Sequence, residues 1–277
     1  MSAVPSHTLL GRNVDSQPAY SPKILMPIAR SLTRASLGIS AELPFVGSDR
    51  WTGYELSWLE PGGKPRVAVL RVVVPAHSPN LIESKSFKLY LNSLARAHFD
   101  HAEALAKCIR ADLSAAASAS VAVEVLEPSA WSLLAPQELP GYCIDGLTLG
   151  LVHDGVLHPE VLACDRHAAV VDESLHSHLL KSNCPVTGQP DWGSVLIRYR
   201  GAPIERTGLL RYLLSFREIC EFHEHCVERI FVDLTARCAP QWLSVEARYT
   251  RRGGLDINPC RASSGAAIAP DRRQWRQ

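Results

Sequence analysis

"ESKSFKLYLNSLARAHFDHAEALAKCIRADL", residues 83 to 113, is the stretch on which the fold turns. Its apolar positions Phe87, Leu91 and Leu94, then Ala102, Leu105 and Ile109, recur at helical spacing, so most of it reads as helix. The pattern returns in "IERTGLLRYLLSFREICEFHEHCVERIFVDL", residues 204 to 234. Displaced by 122 positions, Ile82-Glu83 falls on Ile204-Glu205, Tyr90-Leu91 on Tyr212-Leu213, and Ser93 on Ser215. After a slip of one residue, Glu103 falls on Glu224, Ile109 on Ile230, and Asp112-Leu113 on Asp233-Leu234. Ordered matches of this kind point to a duplicated unit, with chance similarity between two amphipathic helices as the competing explanation.

The flanks repeat as well. "PRVAVLRVVV", residues 65 to 74, is rich in β-branched residues and reads as a strand, paired with the preceding "GYELSWLEPGGKP" across a turn at Pro61-Gly62-Gly63. "SVAVEVL", residues 120 to 126, returns to strand character after the helices. In the second half "HLLKSNC" and "GSVLIRYRG" read as strands before the helices, and "QWLSVEARYTRRGGLDINP" as a hairpin after them. Pro128 to Tyr142, with three prolines and a glycine, reads as the linker. The halves are therefore placed at residues 1–135 and 136–277. The closing "AAIAPDRRQWRQ" reads as a loose tail.

Composition bounds the function. The chain has 277 residues, 46% hydrophobic and 21% charged, with a formal net charge of +1, which suits one large or two smaller globular domains. Near-neutral charge argues against direct nucleic-acid binding, and no run of about 18 apolar residues suggests a membrane span. The first residues show no charged region followed by an apolar one, so no secretory signal is expected. The eight cysteines, Cys108, Cys143, Cys164, Cys184, Cys220, Cys226, Cys238 and Cys260, form no CxxC pair. Free thiols in a reducing, cytoplasmic compartment are expected.

Four polar constellations stand out. In "SNCPVTGQPDW", residues 182 to 192, Cys184 precedes a proline and Asp191 follows seven positions on. A catalytic thiol needs a nearby base or positive field, and a carboxylate on a turn-rich loop can take its proton and return it. Packing is the ordinary role of a cysteine and is the competing reading. In "FHEHC", residues 222 to 226, His223 offers a proton near neutral pH, and Glu224 offers a bidentate acceptor for adjacent N–H groups such as a guanine-like edge. A solvated helix face, or a zinc site using His223, His225 and Cys226, competes with this. In "ESKSFKLY" a helix start with serines and lysines suits phosphate through free backbone N–H groups, or is merely a capped helix with exposed lysines. "RRGG", residues 251 to 254, is a phosphate clamp or a hairpin with surface arginines. The absence of GxGxxG after a strand and of GxxxxGK[ST] argues against Rossmann and P-loop domains.

Taken in order, "ESKSFKLYLNS", "NCPVTGQPDW", "FHEHCVERI" and "RRGGLDINP" closely resemble the long, two-domain form of the 7-cyano-7-deazaguanine reductases, from about Pro22 to Arg261, after a familiar "LGRNVDSQPAYSP" opening. The resemblance implies an α+β fold of tandem tunnelling-fold (T-fold) domains, each an antiparallel β-sheet with two helices packed on one face. It implies four-electron reduction of a deazaguanine nitrile to an aminomethyl group in tRNA queuosine biosynthesis, with two NADPH per turnover and no metal. It makes Cys184 the nucleophile that forms a thioimide, with Asp191 and His223 moving protons. Ile82, Glu83, Ser84, His223 and Glu224 fall where the family holds the base; Ser84, Lys85, Arg252 and Gly253 fall where it contacts NADPH. A homodimer is also implied. The alternatives are a zinc-dependent T-fold pterin or GTP cyclohydrolase-like enzyme, and a non-catalytic purine-binding protein.

Overall fold

The computed structural model describes residues 19–40, 42–150, 154–266 and 270–277. The first nine residues of the stretch "LGRNVDSQPAYSP" lie outside them.

The chain begins with a short strand β1 (Pro27–Ala29) and one helical turn, α1 (Ser31–Arg34). Strands β2 (Val46–Leu59) and β3 (Pro65–Pro75) form the expected antiparallel hairpin. Its turn is closed by Gly63 N–H donating to Glu60 O at 2.8 Å, with Gly63 at φ +80° as the tight reversal requires. Then follow β4 (Asn80–Ile82), α2 (Ser84–Leu94), α3 (Ala102–Ala117) and β5 (Ala122–Leu126). A 3-10 turn at Pro128–Leu134 leads to the two-residue β6 (Tyr142–Cys143). The second half supplies β7 (Val171–Asn183), β8 (Pro190–Gly201), α4 (Arg206–Ser215), α5 (His223–Cys238), β9 (Trp242–Tyr249) and β10 (Leu255–Ala262).

The duplication extends to individual hydrogen bonds. Glu83 caps α2 by accepting from Lys85 N–H at 2.8 Å and Ser86 N–H at 2.6 Å; Glu205 caps α4 by accepting from Thr207 N–H at 2.9 Å and from Gly208 N–H. Tyr90 donates to Asp112 and Tyr212 to Asp233, both at 2.6 Å. Ser93 and Ser215 each donate to the carbonyl three residues back at 2.6 Å. β2 and β7 both shift register near their middle, between Gly53 and Leu56 and between Ser177 and Leu180.

β1 and β4 pair as a small two-stranded sheet, and the other eight strands form one sheet in the order β5-β3-β2-β10-β9-β8-β7-β6. The halves therefore join strand to strand: β10 pairs with β2 from Leu255↔Gly53 to Ala262↔Val46. The first half contributes three strands and has no counterpart of β10, because Pro128 opens a 3-10 turn instead. Pairing is antiparallel throughout except for β6 against β7. Alternation along the strands puts Trp51, Leu70, Val72, Leu255 and Ile257 against α2 and α3, and Val195, Ile197, Val245 and Ala247 against α4 and α5. Helices α2 to α5 thus cover one face.

The other face is polar, and here the sequence reading needs correction. The end of the chain is not a loose tail: it lies across this face. Gln277 Nε2 donates to Tyr249 O at 3.0 Å and to Asn258 Oδ1 at 2.7 Å, Arg248 donates to Asp271 at 2.5 Å, and Gln274 Nε2 reaches Gln137 O of the linker at 2.7 Å. The physical reason is satisfaction: Arg248 and Asn258 point outward from central strands, are buried, and find partners in Asp271 and Gln277 of the tail. Among the described residues no helix is long and apolar enough to cross a membrane.

Candidate active site

The cleft forms at the seam between the halves, on the helix side of the sheet. It is lined by Trp51, Leu81, Ile82 and Ser84 from the first half and by Cys184, Pro185, Asp191, Glu221, Phe222, His223, Glu224, Arg252 and Ile257 from the second, and its space of about 420 Å³ is continuous with solvent. A wider groove bounded by Arg30, Arg34, Phe45 and His77 has no cysteine in its lining.

Cys184 is the first residue of the β7–β8 turn. Its N–H donates to Gln189 O at 2.8 Å and its carbonyl accepts from Gly188 N–H at 3.0 Å, with Gly188 at φ +66°. The turn is short and closed, and leaves the thiol half-buried at the cleft wall. Asp191 is not on the loop: it is the second residue of β8, paired with Ser182. The backbone ties this turn to the other motif. Asn183 N–H donates to Ile219 O at 2.8 Å, and Glu221 N–H to Asn183 O at 3.1 Å, so the residue before the cysteine is clamped to the residues before His223. The first half has the same clamp, Leu59 N–H to Ala97 O at 2.9 Å and Phe99 N–H to Leu59 O at 3.0 Å.

Asp191 sits between Arg252 and His223. Arg252 Nη1 donates to its Oδ1 at 2.6 Å, and His223 Nε2 lies 3.4 Å from Oδ2. Burial alone would raise the Asp191 carboxyl, but His223 and Arg252 outweigh it and hold the group below the usual carboxylate range. His223 packs on Tyr249 with ring centroids 3.9 Å apart, and among the described residues its buried Nε2 makes no hydrogen bond. Glu224 follows at the start of α5, 3% exposed. Burial, with Asp49 nearby, raises its carboxyl above the ordinary value, against the opposing pull of Arg30 and His223. One turn further along α5, Glu228 belongs to a buried ion network across the seam: Arg261 bridges it to Asp49 at 2.9 and 2.8 Å, with Arg34 on Glu228 at 2.6 Å and Arg30 on Asp49 at 2.5 Å.

Seven of the ten candidate residues thus line one cleft: Ile82, Ser84, Cys184, Asp191, His223, Glu224 and Arg252. Glu83 lies behind the wall, 1% exposed, with both carboxylate oxygens accepting from the first turn of α2. Those backbone N–H groups are consequently not free for phosphate. Arg252 grips Asp191 and, through Nη2, Gln189. Gly253, at φ +60°, packs on Lys88, and a Cβ there would stand 3.2 Å from Lys88 Cδ. Lys88, a lysine the motif reading left on the surface, is partly buried; burial and Arg252 lower its ammonium, while Glu83, Asp191 and Cys184 pull the other way. Phe222 was also missed, as a hydrophobe flanking a polar motif gives no signal of its own. At "FHEHC" the zinc alternative finds no support: Cys226 is fully buried in the core, and His225 Nε2 is taken up by Ser36, Glu221 and Arg229.

Comparison with known proteins bears on the whole chain. Residues 16–125 match the family described as nitrile reductase, 7-cyano-7-deazaguanine-reductase N-term, and residues 190–267 match the QueF-like protein family. Relatives from several bacteria bear the name NADPH-dependent 7-cyano-7-deazaguanine reductase. That of Stenotrophomonas maltophilia (strain K279a) is 57% identical over 99% of both chains, and that of Bordetella avium (strain 197N) 53% identical over 97% of both. The apo form of the archaeosine synthase QueF-Like aligns with 36% of this chain and 98% of its own at 18% identity, with a TM-score of 0.32, an overlap too slight to bear on the fold.

Proposed function

This chain belongs to the 7-cyano-7-deazaguanine reductase family, and from that premise we propose how its cleft reduces a nitrile. The enzyme is an NADPH-dependent oxidoreductase of the queuosine pathway, converting 7-cyano-7-deazaguanine to 7-aminomethyl-7-deazaguanine. What supports our assignment of roles is one observation: Cys184, Asp191, His223 and Glu224 line a single cleft.

Cys184 attacks the nitrile carbon. The sulfur–carbon bond forms, one π bond of the nitrile is lost, and the thiol proton must reach nitrogen, giving a thioimide. Lys88 stands near enough to Cys184 for the two to interact electrostatically, and Arg252 lines the cleft beside it. Asp191, ionised and held by Arg252, takes the thiol proton, and His223 beside it passes a proton toward the nitrile nitrogen. A protonated thioimide accepts hydride far better than a nitrile, so covalent catalysis divides a hard step. Glu224 receives the ring N–H and exocyclic amine of the base, while Phe222, Trp51 and Ile257 supply apolar walls for the flat ring. Glu83 anchors the first turn of α2 and so fixes Ile82 and Ser84 against the base.

NADPH supplies hydride, two per nitrile. The residues fit it: the Gly253-Gly254 turn, at φ +60° and +76°, offers bare backbone beside Lys88, and Ser84, Lys85 and Arg252 add polar and cationic groups nearby.

The architecture is read as tandem T-folds, residues 1–135 and 136–277, supported by the matched caps, tyrosine–aspartate pairs and strand–loop clamps. A homodimer in the cytoplasm acting on the free base without touching tRNA completes the proposal. The test is intact mass after mixing the protein with 7-cyano-7-deazaguanine without NADPH. An adduct equal to the whole base, absent in Cys184→Ala, is expected. No adduct in the parent protein would remove Cys184 from the chemistry.

A further inference from the structure

We propose that Cys143, His176 and His178 bind one divalent cation of the Zn²⁺ class at the β6 edge of the sheet, a fastening site separate from the reaction. Their ligand atoms, one from each residue, all lie within 4.8 Å of one another, and among the described residues no other group of three His, Cys, Asp or Glu side chains converges so closely.

The backbone builds the cluster without help from an ion. His176 and His178 are two apart on β7 and share a face, with ring centroids 5.3 Å apart. Cys143 lies opposite His176 in the parallel pairing of β6 with β7. The linker reaches this register through Gly141, at φ +88°, where a Cβ would fall 2.0 Å from Ser174 O; a side chain there would lift β6 off the strand. Asp145 secures the other side of β6, accepting from Ser177 Oγ at 2.6 Å and from His178 N–H at 2.9 Å.

The rings are oriented as metal ligands are. His176 Nδ1 meets Pro140 O at 3.1 Å, and since a carbonyl only accepts, Nδ1 carries the proton and the lone pair of the neutral ring lies on Nε2. His178 Nδ1 meets Ser194 Oγ at 2.9 Å. Among the described residues neither Nε2 has a hydrogen-bond partner. An outer partner on one nitrogen that leaves the other open is the arrangement that fixes ligating histidines. One thiolate and two imidazoles suit tetrahedral Zn²⁺, with the fourth position left to water. Burial grades from His176 inside through half-buried His178 to exposed Cys143, so an ion enters from solvent. The site lies roughly 20 Å along β7 from Cys184, six residues at about 3.3 Å each. A bound ion would pin the linker to the sheet edge, where β6 otherwise holds by two residues.

The test is Co²⁺ titration of the full-length, metal-stripped Cys184→Ala protein, so that the catalytic thiol contributes no signal. One equivalent should give intense tetrahedral d–d bands and a thiolate-to-cobalt charge-transfer band, both lost on adding Zn²⁺. Adding Cys143→Ser should abolish the charge-transfer band, and adding His178→Gln should weaken binding by at least about the tenfold that loss of even a supporting group causes. In the parent sequence Cys143→Ser should keep NADPH-dependent turnover, which shows that the fold persists. No charge-transfer band, or the same binding after Cys143→Ser, would overturn the proposal.

Discussion

The guanidinium of Arg252 closes on the carboxylate of Asp191, Nη1 to Oδ1 at 2.6 Å, joining the hairpin beyond β9 to the start of β8. An arginine expected to meet a cofactor thus also sets the charge of the group expected to move protons. Because Asp191 titrates below its ordinary value in the folded protein, its ionised form contributes stability at pH above about 4, lost as pH falls through the lower folded value.

Replacing Arg252 by Gln removes one of the two groups that hold Asp191 down and lets its pKa rise. The acid limb of kcat/KM should therefore move to higher pH. A purely cofactor-contacting arginine would raise the KM for NADPH and leave the limb where it was, so the pH profile separates the two roles.

Glu224 titrates above its ordinary value in the empty cleft, and a base that donates two N–H groups favours its ionised form. Binding at mildly acidic pH should therefore release a proton. Calorimetry in buffers of different ionisation enthalpy measures this; the release should vanish in Glu224→Gln, with affinity reduced by about 1.5–3 kcal/mol, roughly 10- to 100-fold.

Glu83 and Glu205 make the same cap in the two halves, so the pair forms its own control. Each change to Ala should lower stability by about 1 kcal/mol. Only Glu83→Ala should also raise the KM for the deazaguanine, because Ser84 at the start of α2 lines the cleft and no residue of α4 does. Equal kinetic effects from both would show that the cap acts through stability alone.

Arg261 bridges Glu228 and Asp49 with no exposure to solvent. Arg261→Leu leaves two buried carboxylates short of a partner and should cost about 3–5 kcal/mol in denaturant unfolding. A loss below 1 kcal/mol would mean that Arg30 and Arg34 neutralise the cluster unaided.

The duplication was legible because its markers, Tyr90 with Tyr212 and Asp112 with Asp233, keep their spacing, and local periodicity identified the hairpins and helices around them. Contacts between distant polar residues were not legible. Nothing near Arg252 announces Asp191, and nothing in "DRRQWRQ" announces Asn258, because a polar pair leaves no period in the sequence. That Glu83 caps a helix was also hidden, because Glu is uncommon as a cap. The β2–β10 register was equally hidden, being fixed by strands some 200 residues apart.

That register has a genetic consequence. Where identical subunits meet edge to edge, every substitution appears at once in all copies, and a change that improves one wall of a shared site also alters its equivalent everywhere else. With Leu255 to Ala262 paired to Gly53 to Val46 inside one polypeptide, the two halves of the cleft are encoded separately. Cys184 can be selected without placing a thiol at the matching turn of the first half, where Glu60 stands at the end of β2.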